Sequence, residues 1–245
     1  MAANLGQKST VNAELALCLD AANPYSNPIS RQGETHPPWN DLSENKIDGT
    51  IQNSPTYSNV GASSYIEFNT GGGSAEYYKM VSDYYSNVTW GANPYAIEIW
   101  VNRYDGAYLL DMRNASDSIH PYIQFNASQS NRLSYRPYNA SAIFDTDTDQ
   151  PSATDTTYTG WRHYVISREG TGSNECKLYY NGSFVAQGTD ANTQETPQDF
   201  DIGVRSYDDA ISFKGRIGLF KIYNGKSLSA TEVLQNYNAT KERYQ

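Results

Sequence analysis

The sequence predicts an all-β protein, an antiparallel β-sandwich closed by one short C-terminal helix, and three observations carry that prediction. Tyrosine supplies 21 of the 245 residues, with Asn, Ser, Thr and Gly filling the spaces between apolar pairs. Tyr and Thr suit pleated, half-wet surfaces, whereas the helix formers Ala, Leu, Glu and Lys are sparse. Short apolar runs recur at regular spacing with turn dipeptides between them, which is the pattern of a sandwich or barrel. One capping-box signal, Ser229 with Glu232, stands near the C-terminus of a chain that elsewhere reads as strand. A chain of this length buries a full core as one large all-β domain. No linker or internal repeat divides it, so the expected organisation is an N-terminal arm, residues 1–13, and a single domain over 14–245.

Taken in order, residues 1–13 are polar and unpatterned and read as an arm outside the core. Leu15 to Leu19 is a first strand, ended by Asp20. Four prolines between Asn23 and Asn40 predict a long surface loop, after which Trp39 and Leu42 return to the core. Ser64 to Phe68 and Tyr77 to Val81 are strands, separated by Gly71-Gly72-Gly73. Ala96 to Arg103 sets Ile97, Ile99 and Val101 on one face and Ala96, Glu98 and Trp100 on the other. Asp105-Gly106 is a hairpin signal, and strands follow near residues 107–112, 119–125 and 133–138. Residues 139–160 form a second long loop, acidic and Thr-rich, before a strand over Trp161 to Arg168. Lys177 to Tyr180, Asn181-Gly182 and Phe184 to Gln187 make a hairpin, because Asn-Gly meets the positive φ of a type I′ turn. Strands over Phe200 to Val204 and Ile211 to Tyr223 complete the set. In the last, Ile217, Leu219 and Lys221 fall on one face and Gly218, Phe220 and Ile222 on the other, so it reads as a central strand covered on both sides. Asn224-Gly225 then turns the chain into a helix with Val233, Leu234 and Tyr237 at helical spacing.

Several function classes are excluded at this level. The net charge is −9 with no basic cluster, so nucleic acid is not an expected partner. No run approaches the length of a spanning helix, so no membrane partner is expected. The first 14 residues lack a charged n-region and an apolar run, so no secretory signal is expected and the chain is read as made in a cytoplasm. Six Asn-x-Ser/Thr triplets, at Asn87, Asn114, Asn126, Asn139, Asn181 and Asn238, then read as a product of composition. Cys18 and Cys176, each in an apolar run, read as buried free thiols, with a disulfide between adjacent strands as the alternative.

The ordered series LCLDAANP, WNDLSENKIDGTI, YIEF, IEIWV, WRHYVISREG, KLYYNGSFV, DIGVRS and FKGRIGLFKIYNGKSLSATEVLQNYNAT resembles the laminin-G-like branch of the concanavalin A-like lectin/glucanase superfamily, from Leu15 to Tyr237. The closing segment is similar to those of virion structural proteins of tailed bacteriophages, cyanophages included. The resemblance implies a concanavalin A-like jelly roll and a role in binding or assembly. The function it implies is a non-enzymatic virion structural protein, an external capsid decoration at the virion surface. Its partners would be virion proteins such as the major capsid protein, with a homo-oligomer compatible. A carbohydrate-binding adhesion module that recognises cell-surface glycans is the alternative, and a glycoside hydrolase of the same fold is a third.

Glucanases of this superfamily carry ExDxxE or ExDxE on one strand, and retaining hydrolysis needs two carboxyl groups about 5–5.5 Å apart. Here the strand reads Glu98-Ile99-Trp100-Val101-Asn102, with one carboxylate, and Glu67 or Asp111 would have to approach from another strand. No catalytic residue is expected. His36, His120 and His163 form no zinc-binding spacing, and there is no GxSxG elbow. Asp145, Asp147 and Asp149 place carboxylates at alternate loop positions and are the candidate ligands of a structural calcium. Gln150 and Thr156, at the sixth and twelfth positions of that loop, depart from an EF-hand, and a solvated acidic loop is the competing reading. Asp208-Asp209 is a second acidic pair, and no other cofactor is expected. Tyr77, Tyr78, Tyr84, Tyr85, Tyr104 and Tyr108 read either as half-buried sheet tyrosines or as part of a surface that stacks on sugars or a protein partner.

Overall fold

The computed structural model describes residues 10–27, 38–60, 63–68, 73–80, 90–106, 108–113, 121–126, 132–137, 142–145, 160–194, 197 and 199–244. The strands are β1 (Leu15–Asp20), β2 (Gly49–Gln52), β3 (Thr56–Val60), β4 (Ser63–Phe68), β5 (Tyr77–Met80), β6 (Tyr95–Gly106), β7 (Tyr108–Asp111), β8 (Tyr122–Asn126), β9 (Arg132–Arg136) and β10 (Phe144–Asp145). They continue with β11 (Arg162–Arg168), β12 (Cys176–Tyr180), β13 (Ser183–Gly188), β14 (Asp201–Ile202) and β15 (Phe213–Asn224), and helix α1 (Ala230–Thr240) follows.

Among the described residues the strands form two antiparallel sheets. One runs β13-β12-β11-β6-β15-β4-β3 with β1 also on β15, and the other runs β10-β9-β8-β7-β14-β5-β2. Their facing sides share one core that includes Ile97, Ile99, Ile166 and Phe220 from the first sheet and Ile123, Tyr135, Ile202 and Phe144 from the second. This is the predicted sandwich. No helix among the described residues is long and apolar enough to cross a membrane.

β15 is central, as its two-sided burial predicted: β6 pairs along one edge, while β4 and β1 share the other. Its simple alternation is corrected, however. The register with β6 shifts between Ile217 and Leu219, a bulge at Gly218 that resets the side-chain phase. Ile217 therefore joins Phe220 and Ile222 in the inter-sheet core, while Leu219 packs outside with Trp100 and Tyr244. A Cβ at position 218 would collide with the Tyr244 ring, so glycine is required there by close approach.

The hairpin and the helix cap form as predicted. Asn181 and Gly182 take φ 47° and 81°, and Ser229 and Glu232 make both arms of the capping box. The helix stripe differs from the expected Val233, Leu234 and Tyr237: Leu234 is 47% exposed, and the buried positions are Val233, Asn236 and Thr240. Two of these are polar because their partners lie in the sheet beneath. β2, β3 and β10 were not predicted, since GTIQ, TYSNV and FD carry one or two large apolar residues each and give no period to read.

Cys18 and Cys176 are buried free thiols. Val11, at the end of the expected arm, donates its backbone N–H to Asn236 Oδ1 at 2.7 Å and accepts from Tyr223 Oη at 3.1 Å. Residues 1–9, 28–37 and 146–159 lie outside the described residues, and with them the expectations placed on His36, Asp147 and Asp149; so do those on His120, Tyr84 and Tyr85.

Candidate functional site

Each sheet has a face turned away from the shared core, and each of these faces carries a buried polar system. On the larger sheet, Glu98 of β6 lies in register with Lys221 of β15 on one side and Val165 of β11 on the other. Its Oε1 accepts from His163 Nε2 at 3.0 Å, and its Oε2 accepts from Tyr223 Oη at 3.1 Å and Asn236 Nδ2 at 2.7 Å. Burial works to raise this carboxyl, but the charge of Lys221 and the bonds from His163 and Tyr223 outweigh it and hold the pKa at about 2. Helix α1 supplies Asn236 to this network and Thr240 to the neighbouring Trp100, whose Nε1 donates to Thr240 Oγ1 at 2.8 Å. The Trp100 ring stacks on Tyr244 at 4.6 Å and Tyr237 at 5.8 Å. Glu98, the position where a glucanase nucleophile was sought, is thus sealed under a helix with both oxygens in use. Glu67 does not join it, being held by Arg216 Nε at 2.8 Å and Tyr104 Oη at 3.2 Å with β15 between. Asp111 lies on the other sheet.

The outer face of the smaller sheet has a different chemistry. Lys79, Asp201, Asp111, Tyr122 and Arg136 stand opposite one another across β5, β14, β7, β8 and β9. Asp111 is clamped by Arg113, with Nε to Oδ1 and Nη2 to Oδ2 both at 2.8 Å. The Arg113 guanidinium lies 3.7 Å from the Tyr122 ring centre and 5.3 Å from that of Tyr108. Asp201 is fully buried, and neither carboxylate oxygen has a hydrogen-bond partner. Ser206 is its neighbour, but the Ser206 hydroxyl donates to the Asp111 carbonyl at 2.6 Å. Burial raises the Asp201 carboxyl to about 7, with Lys79 offsetting part of the effect. Burial also raises Asp111, against the bonds from Arg113. These two acids are neighbours across β14 and β7, which no spacing along the chain announces. Both are fully buried, and Asp111 is committed to Arg113, so the pair offers no open carboxylate to a substrate.

The 205–212 segment caps this face and brings up an exposed aromatic ring. Tyr207 is 40% exposed, with the Arg205 guanidinium 4.7 Å and the Arg113 guanidinium 5.4 Å from its ring centre. Both guanidinium groups are engaged by carboxylates, Arg113 by Asp111 and Arg205 by Asp208, so what this place offers a sugar ring or a planar side chain is the exposed part of the Tyr207 ring.

The remaining candidates resolve in part. Asp145 ends β10. Asp208 is held by Arg205, with Nε to Oδ1 at 2.8 Å, and Asp209 Oδ2 accepts from Tyr77 Oη at 2.9 Å, so this acidic pair is engaged. Among the described residues no group of three or more His, Cys, Asp or Glu side chains could hold a metal ion. Tyr77, Tyr78 and Tyr108 are buried and Tyr104 bonds Glu67, which makes them sheet tyrosines. The sequence missed Tyr207, for its exposure is set by a loop folded over a sheet and leaves no local signal.

A profile of the Laminin_G_3 family, described as the concanavalin A-like lectin/glucanases superfamily, matches residues 56–234. No curated protein matches the sequence. Among solved structures, the binding domain of botulinum neurotoxin DC in complex with rat synaptotagmin II superposes with a TM-score of 0.63 at 14% identity, covering 94% of this chain and 52% of that one. A structure of botulinum neurotoxin type C, described as dependent for cell entry on two ganglioside molecules, gives 0.62 at 13% identity, covering 92% and 51%. A Trypanosoma rangeli sialidase gives 0.62 at 12% identity, covering 95% and 33%. The chain therefore spans about half the length of the neurotoxin chains it resembles. At these identities the likeness establishes the fold.

Proposed function

The chain belongs to the concanavalin A-like lectin/glucanase superfamily, and from that premise we propose that it is a non-enzymatic recognition module that binds cell-surface glycans. The observation that carries this reading is Tyr207, an exposed ring beside Arg205 and Arg113 on the segment that caps the smaller sheet. The sealing of Glu98 beneath α1 supports recognition over turnover. So do the neighbours of the same fold, one in complex with rat synaptotagmin II and one whose cell entry depends on two ganglioside molecules. A glycan array with the wild-type chain and Tyr207→Ala tests it. Wild type binds one sugar family saturably, and the variant weakens that binding about tenfold, the worth of one stacking contact. A blank array, or equal binding by the variant, contradicts the reading.

The resemblance of Phe213 to Thr240 to virion proteins of tailed phages favours a second reading. In it the module is an external capsid decoration at the virion surface that binds neighbouring virion proteins such as the major capsid protein. A blank array together with the chain found in purified particles selects this reading. A calcium at Asp145, Asp147 and Asp149 is a proposal from sequence alone, and a calorimetric titration with calcium that gave no heat would contradict it.

A further inference from the structure

Asp201 stands in β14 between Phe200 and Ile202, both of which enter the inter-sheet core, so strand alternation turns its side chain to the outer face of the smaller sheet. A side chain that points outward is buried only by something laid over it, and Asp201 is fully buried. The 205–212 cap lies there, with Ser206 and Asp209 both acting on Asp201. Polar contacts tie this cap to the neighbouring strands. Ser206 donates its backbone N–H to Asp111 Oδ2 at 3.3 Å and its hydroxyl to the Asp111 carbonyl, and Tyr77 Oη donates to Asp209 Oδ2. Ser206 is buried but residues 207–211 are exposed, so little apolar packing opposes lifting the segment.

The charged groups around Asp201 leave it no counter-ion of its own. On β5, Lys79 stands opposite it, but the Lys79 Nζ is 3.3 Å from Asp199, and Tyr77 is bonded to Asp209. On the other side Asp111 of β7 is clamped by Arg113, with Tyr122 and Arg136 farther along the row. In the cap, Arg205 is paired with Asp208, while the charges of Asp209 and Asp199 both disfavour a carboxylate at 201. An ionised Asp201 under a closed cap is therefore a buried charge whose nearby cations are committed elsewhere. Such a charge is relieved by keeping the proton or by admitting water. Burial accordingly raises this acid to about 7, with Lys79 offsetting part of the effect. We propose that the 205–212 cap is a proton-operated cover: it lies closed and holds Tyr207 in place while Asp201 is protonated, and lifts to hydrate Asp201 when that group ionises. An open cap returns Asp201 to the ordinary value of 3.8, so opening grows by up to about tenfold per pH unit from about pH 4 to about 7 and levels off above. The inference rests on the reading of Tyr207 given above only for its consequence, that recognition through this ring weakens as pH rises; the cover itself needs no ligand.

Amide hydrogen exchange of the whole chain without ligand tests it, measured from pH 5 to pH 8 and divided at each pH by the rate of an unprotected amide. The Ser206 amide, bonded to Asp111 Oδ2, reports the cap, and the amides of β11 report the sandwich. In the wild type, Ser206 is expected to lose protection by at least about tenfold between pH 5 and 7 while β11 keeps its own. Asp201→Asn is expected to hold the Ser206 protection constant over the same range. Should that variant fail to fold, Lys79→Met, at a side chain 47% exposed, takes its place. Removing the ammonium raises Asp201 further, so the loss is expected to level off at a higher pH. Ser206 protection that ignores pH, an equal loss in β11, the same loss in Asp201→Asn or an unmoved plateau in Lys79→Met overturns the proposal. A cap that opens as described in a chain with a blank glycan array upholds the cover and removes only the reading of Tyr207. Glycan binding with a cap that ignores pH does the reverse.

Discussion

Glu98 and Asp201 show how two buried carboxyls on one scaffold diverge. Glu98 has three donors and a nearby ammonium, so it stays ionised; its pKa in the folded protein, about 2, lies below the ordinary glutamate value of 4.5. Its contribution to stability is therefore fully present above about pH 4.5 and is lost as pH falls toward 2. Asp201 lacks such a set of donors, and burial raises it from 3.8 to about 7. The folded protein holds that proton more tightly than the unfolded chain, so ionisation costs stability as pH rises from about 4 to about 7. Asp201→Asn removes the cost. It is expected to raise the melting temperature at pH 8 by several degrees, on the order of 2–4 °C per kcal/mol for a chain of this size, and to change it little at pH 4. An equal shift at both pH values would count against the orphaned carboxylate. Neither role was legible in the sequence. Glu98 is one of several strand acids until β11, β15 and α1 deliver its donors, and Asp201 meets Asp111 through pairing between strands far apart in sequence.

At the scale of elements, local chemistry was legible where a residue type meets a backbone requirement. Asn181-Gly182 and Ser229 with Glu232 are such cases, each decided within four residues. β15 was read as central because it is apolar on both faces, but the bulge at Gly218 was not, since it answers to the Tyr244 ring arriving from the C-terminus. The same contact explains why the helix stripe misled: α1 docks through Asn236 and Thr240 onto Glu98 and Trp100, so its buried positions are polar and an apolar period does not find them. Gly218→Ala should lower stability by about 1–3 kcal/mol through overpacking against Tyr244. Thermal unfolding measures it, and an unchanged midpoint would mean that the ring yields freely and the bulge is not fixed by this contact.

The whole molecule is a sandwich whose two outer faces are covered differently. One is sealed by α1 around Glu98 and Trp100; the other is capped by residues 205–212, which present Tyr207. The fold was legible because composition, strand spacing and turn chemistry agree. The proposed recognition surface was not, because Tyr207 and Arg205 come from the 205–212 segment and Arg113 from just past β7, far away in sequence. The central claim, as proposed above, is recognition without turnover, and Asp111 and Asp201 are two acids that adjacent strands place opposite one another. Incubating the chain with the glycans it binds, and following free reducing ends over many hours, tests this directly. The account predicts saturable binding with no product above the uncatalysed rate; product that accumulates with wild type and disappears with Asp201→Asn would contradict it.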